Sequence, residues 1–444
     1  MTQTRLIPLL VLLFAACHPP KIDDPRPDAG EGGAPDAGTS PSFTVHIPDD
    51  IRATLRFYSN VHVLLGDGSR FREPVDSSGV ARFHDPSITG PQDVSLVMVS
   101  STGTVQVNTY LAINRAEVWL PGSAALNSAI SWKKQGTITG RVTGTTSPQS
   151  LSVVLIGKGF HGFLTGAADG SFSIDVQGDE RGRVDLFARE TELTGAKVLR
   201  VGLKKDIAVA ADTVVSGQDI ALDHPLDQSL DVTEQGNKLQ GAEARVSLRY
   251  ILGGQLLFSS SHDGKLPLSV PAIALTGPFE TFTPVLRVSA GDAANLPRGE
   301  VQTDMPVGRT SSAAVTLLSP VSIASPAVGT LEAPASASRS GLVLRWNHDA
   351  SAHMVELELA SKTGPGPLGW RVMAPAAVTS FTPFPLPADI APVTTFPAGS
   401  YRVEATATWR GNASGYEDSF TGTLLRDPYA ETRTTRLRAY VELQ

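Results

Sequence analysis

A chain of 444 residues with 41% hydrophobic residues is long enough to bury cores for about three domains. Its formal net charge is −7, and no basic stripe of the kind that holds nucleic acid is present, which argues against that partner. Charged residues make up 18%, while Gly (41) and Pro (32) are abundant, so turns are many. With a single cysteine no disulfide can form within the chain, and stability rests on core burial.

Met1–Arg5 carries one positive charge, Leu6–Phe14 is a short apolar run, and Ala15-Ala16 precede Cys17. A basic start, a short apolar stretch and small residues before a cut describe a secretory signal. The run falls short of the roughly 20 apolar residues that span a bilayer. Phe14-Ala15-Ala16-Cys17 resembles the lipobox of bacterial lipoproteins, with Phe14 where Leu is commoner. The resemblance implies cleavage before Cys17 and acylation of that residue, palmitate included, with multiple chains giving stable anchoring. His18 follows, where Asp would imply inner-membrane retention, so the resemblance implies the outer membrane of a Gram-negative cell. Cleavage leaves a net charge of about −8.

Residues 18–42 hold six Pro, four Gly and four Asp, with Pro-Asp-Ala-Gly at Pro27–Gly30 and again at Pro35–Gly38. Such a segment buries too little to fold and is read as a disordered tether. At roughly 3.1 Å per residue it reaches at most about 78 Å.

From Phe43 onward apolar and polar residues alternate, as in Gly170-Ser171-Phe172-Ser173-Ile174 and Tyr401-Arg402-Val403-Glu404-Ala405. Period two marks strands with one buried face. Gly66-Asp67-Gly68, Ser78-Gly79, Asp169-Gly170 and Asp263-Gly264 are the expected turns between them. An internal repeat of about 90 residues recurs three times, too long for a solenoid unit. In it Val61–Leu65 leads to Gly79–Phe83, Val153–Ile156 to Gly170–Ile174, and Val246–Tyr250 to Gly264–Leu268. Thr89–Pro91 and Thr276–Pro278 repeat a Thr-Gly-Pro turn. The expected fold class is all-β, with tandem Greek-key β-sandwiches after the signal and tether.

Gly136-Thr137-Ile138-Thr139-Gly140-Arg141-Val142 followed by Asp169-Gly170-Ser171-Phe172 resembles the carboxypeptidase regulatory-like domain, a transthyretin-like sandwich without catalytic residues. Ser340–Trp346 and Pro397–Val403 resemble strands B and F of a fibronectin type III domain, with its core Trp (Trp346) and its Tyr near the start of strand F (Tyr401). The Pro-rich stretch Gly364–Pro397 lengthens the spacing between them and leaves strands C to E unplaced. The expected organisation is residues 1–17 signal, 18–42 tether, 43–131, 132–222 and 223–319 three sandwiches, and 320–444 a fibronectin-like sandwich. These are expected to behave as beads with small interfaces.

Chemistry is sparse. Ser131-Trp132-Lys133-Lys134 and Lys362-Thr363-Gly364 match S-x-x-K and K-T-G, but Ser131 lies between strands rather than opening a helix. No G-x-S-x-G elbow, H-E-x-x-H helix or P-loop occurs. His348 and His353 are expected as two exposed loop histidines on opposite faces, and the Asp-Gly pairs as turns rather than calcium loops. No catalytic residue, metal ligand or cofactor is therefore assigned, and Cys17 is the one site residue named. Trp119, Trp132, Trp370 and Trp409 are candidates to stack on sugar rings, with no means of choosing among them. The resemblances imply a non-catalytic envelope lipoprotein serving as spacer, adhesion or assembly module. The alternative is a carbohydrate-binding accessory protein. The partners expected are the membrane through the lipid anchor and a protein or glycan.

Overall fold

The structure, a computed structural model, describes residues 42–444 apart from 49–51, 54, 122–133, 147–150, 158–159, 162, 166–168, 179–181, 193–196, 237, 240, 253–254, 292–297, 363–365 and 423–429. Cys17, Trp132 and Ser131 lie outside the described residues, as do Thr363 and Gly364 of the K-T-G match. The chain is nearly all β, and no helix among the described residues is long and apolar enough to cross a membrane.

The first repeat comprises β1 (Phe43–His46), β2 (Tyr58–Leu65), β3 (Phe71–Pro74), β4 (Val80–Phe83), β5 (Gln92–Ser100), β6 (Val105–Ile113) and β7 (Glu117–Trp119). One sheet runs β4-β1-β7, with β1 and β7 parallel; the strands opposite run β3-β2-β5-β6. The second repeat comprises β8 (Lys134–Thr143), β9 (Leu151–Ile156), β10 (Phe160–His161), β11 (Phe163–Thr165), β12 (Ser171–Gly178), β13 (Gly182–Thr191), β14 (Val198–Val209), β15 (Thr213–Val215) and β16 (Ile220–Ala221), followed by β17 (His224–Pro225). Its sheets, β12-β8-β15 and β11-β9-β13-β14, follow the same order, again with a parallel closing pair. The third has β18 (Gln228–Gln235), β19 (Ala244–Leu252), β20 (Gln255–Gly264), β21 (Leu268–Ala272), β22 (Val285–Gly291), β23 (Arg298–Pro306) and β24 (Ser312–Thr316), as β21-β18-β24 and β20-β19-β22-β23. The sequence repeat is thus a repeat of topology.

The C-terminal part has β25 (Ser322–Ser325), β26 (Ala335–Ala337), β27 (Leu344–Asn347), β28 (Met354–Ser361), β29 (Leu368–Pro375), β30 (Ser380–Phe381), β31 (Gly399–Arg410) and β32 (Thr432–Leu443). β25-β27-β30 faces β32-β31-β28-β29, with β26 added to β32. This fibronectin-like order puts Trp346 on β27, 1% exposed, and Tyr401 on β31, where its hydroxyl donates to the Pro397 carbonyl at 3.0 Å. The Pro-rich stretch is not an interruption. Phe381, Phe384 and Phe396 from it surround Trp370 at centroid distances of 5.7, 5.1 and 6.1 Å.

Turn chemistry matches in two repeats. Asp169 accepts from the Ser171 amide and hydroxyl (3.0 and 2.6 Å), and Asp76 does the same with Ser78 (2.9 and 2.6 Å). The Ser78 hydroxyl, joined by the Val80 and Ser78 amides and Arg82, holds the Asp76 carboxyl at about 2. The third repeat corrects the sequence reading. Asp263 and Gly264 end β20 rather than forming a turn, and the next strand begins at Leu268. Pro267, which has no N–H to give a ladder, marks the break.

The repeats are not beads. Strands of the first repeat, the third repeat and the C-terminal part join in one 13-stranded sheet, twelve of them ordered β20-β19-β22-β23-β32-β31-β28-β29-β6-β5-β2-β3 and the thirteenth, β26, paired with β32 off that path. β29 pairs in parallel with β6, and β32 antiparallel with β23. One core unites Leu64, Val97, Val99, Val105 and Val107 of the first repeat with Trp346, Trp370 and Tyr401. β5 is consequently buried on both faces, since Leu96 and Met98 belong to the first repeat's own core. At the join the Trp370 indole N–H donates to the Thr109 hydroxyl (2.9 Å), which also meets Ser95 (2.8 Å). The second and third repeats share a core in which Phe187 stacks on Phe258 at 5.5 Å and Phe258 on Tyr250 at 4.3 Å.

Candidate functional site

Of the four sugar-stacking candidates, the three among the described residues separate on burial. Trp370 is 2% exposed and Trp409 is half-buried, with the Arg433 guanidinium over its ring at 4.1 Å, whereas Trp119 is 41% exposed. Alternation along β7 explains Trp119: Val118 points into the core, so Glu117 and Trp119 face outward. The parallel register sets Trp119 opposite His46, and the two rings stack at 3.9 Å with planes 4° apart. His46 Nε2–H donates to Glu117 Oε1 at 2.9 Å, fixing the imidazole beneath the indole. Thr421 bridges to Trp119, and Gly422 passes so close that a β-carbon there would lie 3.0 Å from the indole Cγ. The ring is therefore held before any ligand arrives.

Beside it lies a depression of about 420 Å³ lined by Asn114, Arg115, Ala116, Glu117 and Glu417. The turn carrying Asn114 and Arg115 follows Ala112, held at φ 54° with its amide donating to Asp93 Oδ1 (2.8 Å). Glu417 comes from a short 3-10 turn, Tyr416–Phe420, whose ends are pinned in the first repeat's core. Phe420 meets Tyr110 edge-on at 5.7 Å, and the Tyr416 hydroxyl donates to the Met373 carbonyl at 2.9 Å. Burial pushes the Tyr416 phenol far up, so it stays a donor. Glu417 Oε1 accepts the Asn114 amide at 3.0 Å, whereas its buried Oε2 has no hydrogen-bond partner among the described residues. An unpartnered buried acceptor costs about 1–3 kcal/mol. Glu417 also lines the depression, while its Oε2 is itself enclosed. The site is composite, made only because the first repeat and the C-terminal part are fixed together.

Other sequence candidates fare differently. His348 and His353 are half-buried, not exposed: His348 Nδ1 is enclosed without a partner among the described residues, and the His353 ring tilts against Trp409 at 5.7 Å. Trp409, the neighbour the sequence spacing did not reveal, covers the latter. Among the described residues no three His, Cys, Asp or Glu converge as metal ligands. Lys362 donates to the Leu331 carbonyl at 2.7 Å. Glu417 was missed in the sequence because it lies about 300 residues from its partners and carries no motif.

No protein-family model matches the chain, and no curated protein matches it. Among solved structures it is similar to a family 26 carbohydrate-binding module of Eubacterium rectale Amy13K in complex with maltoheptaose, at 17% identity over 40% of this chain and 92% of that one, TM-score 0.13. It is also similar to the FN1–FN3 domains of chicken CNTN1 (8% identity, 72% of this chain and 89% of that one, TM-score 0.14). A third is the Bacteroides ovatus mixed-linkage glucan utilization protein SGBP-B with a heptasaccharide (9%, 86% and 88%, TM-score 0.11). Likenesses this distant carry no argument about function.

Proposed function

We propose that this chain is a non-catalytic envelope lipoprotein, held by Cys17 at the outer membrane, whose joined sandwiches present a glycan-binding surface at Trp119. The observation that carries the binding role is a pre-held, exposed indole on the strand whose Glu117 lines the neighbouring depression with Asn114, Arg115 and Glu417. An indole covers the apolar C–H face of a sugar ring, while a carboxylate oxygen, the Arg115 guanidinium and the Asn114 amide engage hydroxyls. The spacer role is supported by the joined sheet, which makes a stiff body of segments that would otherwise flex.

Trp119→Ala is expected to weaken retention of any glycan bound on a mixed glycan array by about tenfold, near 1.4 kcal/mol, without lowering thermal stability by a comparable amount. A wild-type chain that retains no glycan, or a variant that retains it unchanged, removes the binding role and leaves the spacer. Cys17→Ser is expected to move the protein from the membrane fraction to the soluble fraction, because one acylated residue supplies the anchor. A variant that still pellets with membranes would show that Cys17 is not the attachment.

A further inference from the structure

Sheets in this chain end on short strands, with one exception. Among the described residues, every strand that ends a sheet has five residues or fewer, apart from β20. β20 ends the joined sheet and has ten. A short edge is one way a protein keeps unpaired N–H and C=O groups from recruiting a further strand; charge or proline on the edge is another. β3, at the far end of the same sheet, has both safeguards: it is four residues long and includes Arg72, Glu73 and Pro74. β20 has neither. Gln255–Gly264 contains no Lys, Arg, Glu or Pro, and its one carboxylate, Asp263, has Arg245 at 3.9 Å.

The backbone of β20 is unpaired on its outer side. Its ladder bonds go to β19, and among the described residues Gln255–Gly264 makes no other backbone–backbone hydrogen bond. The start of the strand is shielded: Leu257 is the extra residue of a bulge facing Tyr250 and Ile251, and the Phe258 ring stacks on Phe187 of the second repeat. Beyond it, alternate side chains tie the strand to β21. The Ser260 hydroxyl donates to the Pro271 carbonyl, and His262 Nδ1–H donates to the Ser269 carbonyl at 3.0 Å. These ties use side chains on β20, so the edge is ordered while its own backbone groups stay open. An edge ordered beforehand loses less entropy on pairing.

We propose that Phe258–Gly264 is a dimerisation edge, pairing antiparallel with the same segment of a second copy of this chain. A backbone edge is satisfied by another extended backbone, and the sequence here matches itself. A twofold axis at Ser261 sets Ser261 against its own copy, Ser260 against His262, Ser259 against Asp263 and Phe258 against Gly264. No like charges meet, and the Ser259 hydroxyl is placed to donate to the Asp263 carboxylate. Pairing about a twofold is also closed. It consumes both copies of β20 and leaves β3 at each outer end, where charge and proline stop further growth. A strand from an unrelated protein would gain the backbone bonds without this matched register or this closure.

The test is sedimentation of the full chain, detergent-solubilised, over a range of concentration, joined to amide hydrogen exchange. One strand pair is a small interface, so a reversible dimer is expected, formed by about 100 µM, above the micromolar dissociation constants of weak complexes. Alternate amides between Phe258 and Gly264 are expected to gain protection as concentration rises, because every second residue of an edge strand turns its backbone groups outward. Ser259→Glu sets a carboxylate against Asp263 of the second copy, at both symmetric places. Within its own chain that position lies opposite Arg249, so the fold tolerates the charge. The variant is expected to raise the dissociation constant about tenfold, and adding Asp263→Asn is expected to recover most of the loss. Val214→Glu, at an exposed position of β15, is the control and leaves dimerisation unchanged. A wild-type chain still monomeric at that concentration overturns the assignment, as does a dimer whose β20 amides gain no protection. So does assembly that grows past two copies, or Ser259→Glu dimerising like the wild type at an unchanged melting temperature.

Discussion

Trp346→Ala is expected to unfold the first repeat and the C-terminal sandwich together, leaving the second and third repeats as a protected fragment. Leu344 and Trp346 share the inward face of β27 at 2% and 1% exposure, and Leu342, just before the strand, is buried with them at 6%. Removing a buried Trp costs about 3–5 kcal/mol, against the roughly 5–15 kcal/mol that hold a domain. Isolated beads would confine that loss to residues after about 320. The core containing Trp346, however, also contains Val97, Val99, Val105 and Val107, and β29 is hydrogen-bonded to β6. The second and third repeats draw on a different core. Limited proteolysis with sequencing of the fragment ends checks this: ends near residues 121 and 320 are expected. A fragment that starts near Phe43 would mean that the first repeat stands alone. Trp346→Phe should lose less than Trp346→Ala, because the indole N–H is buried without a partner among the described residues and its removal leaves no acceptor stranded.

Local physics made most of each repeat legible. Alternation set Phe172, Ile174 and Val176 inward on β12 with Ser173 and Asp175 outward, and the Asp169 turn follows from the carboxylate capping its own backbone. Trp346 and Tyr401 were legible as a fibronectin-like pair because one fills the core and the other ties its hydroxyl to the backbone. The joins were not legible, since which strand edges meet is a long-range matter. One signal was nonetheless present. Val94-Ser95-Leu96-Val97-Met98-Val99 has five apolar residues in six, a nearly continuous run, which marks a strand buried on both faces rather than one. Its single polar residue, Ser95, is 0% exposed and hydrogen-bonded to Thr109 at the join. The Trp119 site depends on such a join: Glu417 reaches Asn114 only across it, so the sequence offered four tryptophans and no way to rank them.

Gly140→Ala is expected to destabilise the second repeat strongly although it adds a single methyl group, and the cause also explains the spacing of the G-x-I-x-G-x-V motif. β15 and β16 run parallel beside β8, and the chain between them crosses close over Gly140. The Gln218 amide donates to the Thr139 carbonyl at 3.0 Å, and the Arg141 amide donates to Asp219 at 2.9 Å. A β-carbon on Gly140 would sit 2.6 Å from the Gln218 carbonyl carbon and 2.8 Å from Phe172 Cζ, closer than real contacts allow. Gly136 meets the same crossing chain earlier, with Thr213 O at 2.9 Å from its β-carbon position. Neither glycine is there for a left-handed turn; each lets two backbones approach while Ile138 between them fills the core at 0% exposure. Overpacking of this kind costs about 1–3 kcal/mol, more where the neighbour is backbone that cannot yield, and each kcal/mol lowers the melting temperature of a unit this size by about 4–8 °C. Gly369→Ala on β29 is the control: nothing lies within 4 Å of its β-carbon position, so it should be neutral or stabilise by a few tenths of a kcal/mol through the unfolded chain. Thermal melts of the two variants, with proteolysis to locate the first cut, decide the matter. Gly140→Ala is expected to melt lower with the first cut between residues 134 and 222. Equal melting of the two variants would mean that the crossing chain simply moves aside, and that the motif's second glycine has some other cause.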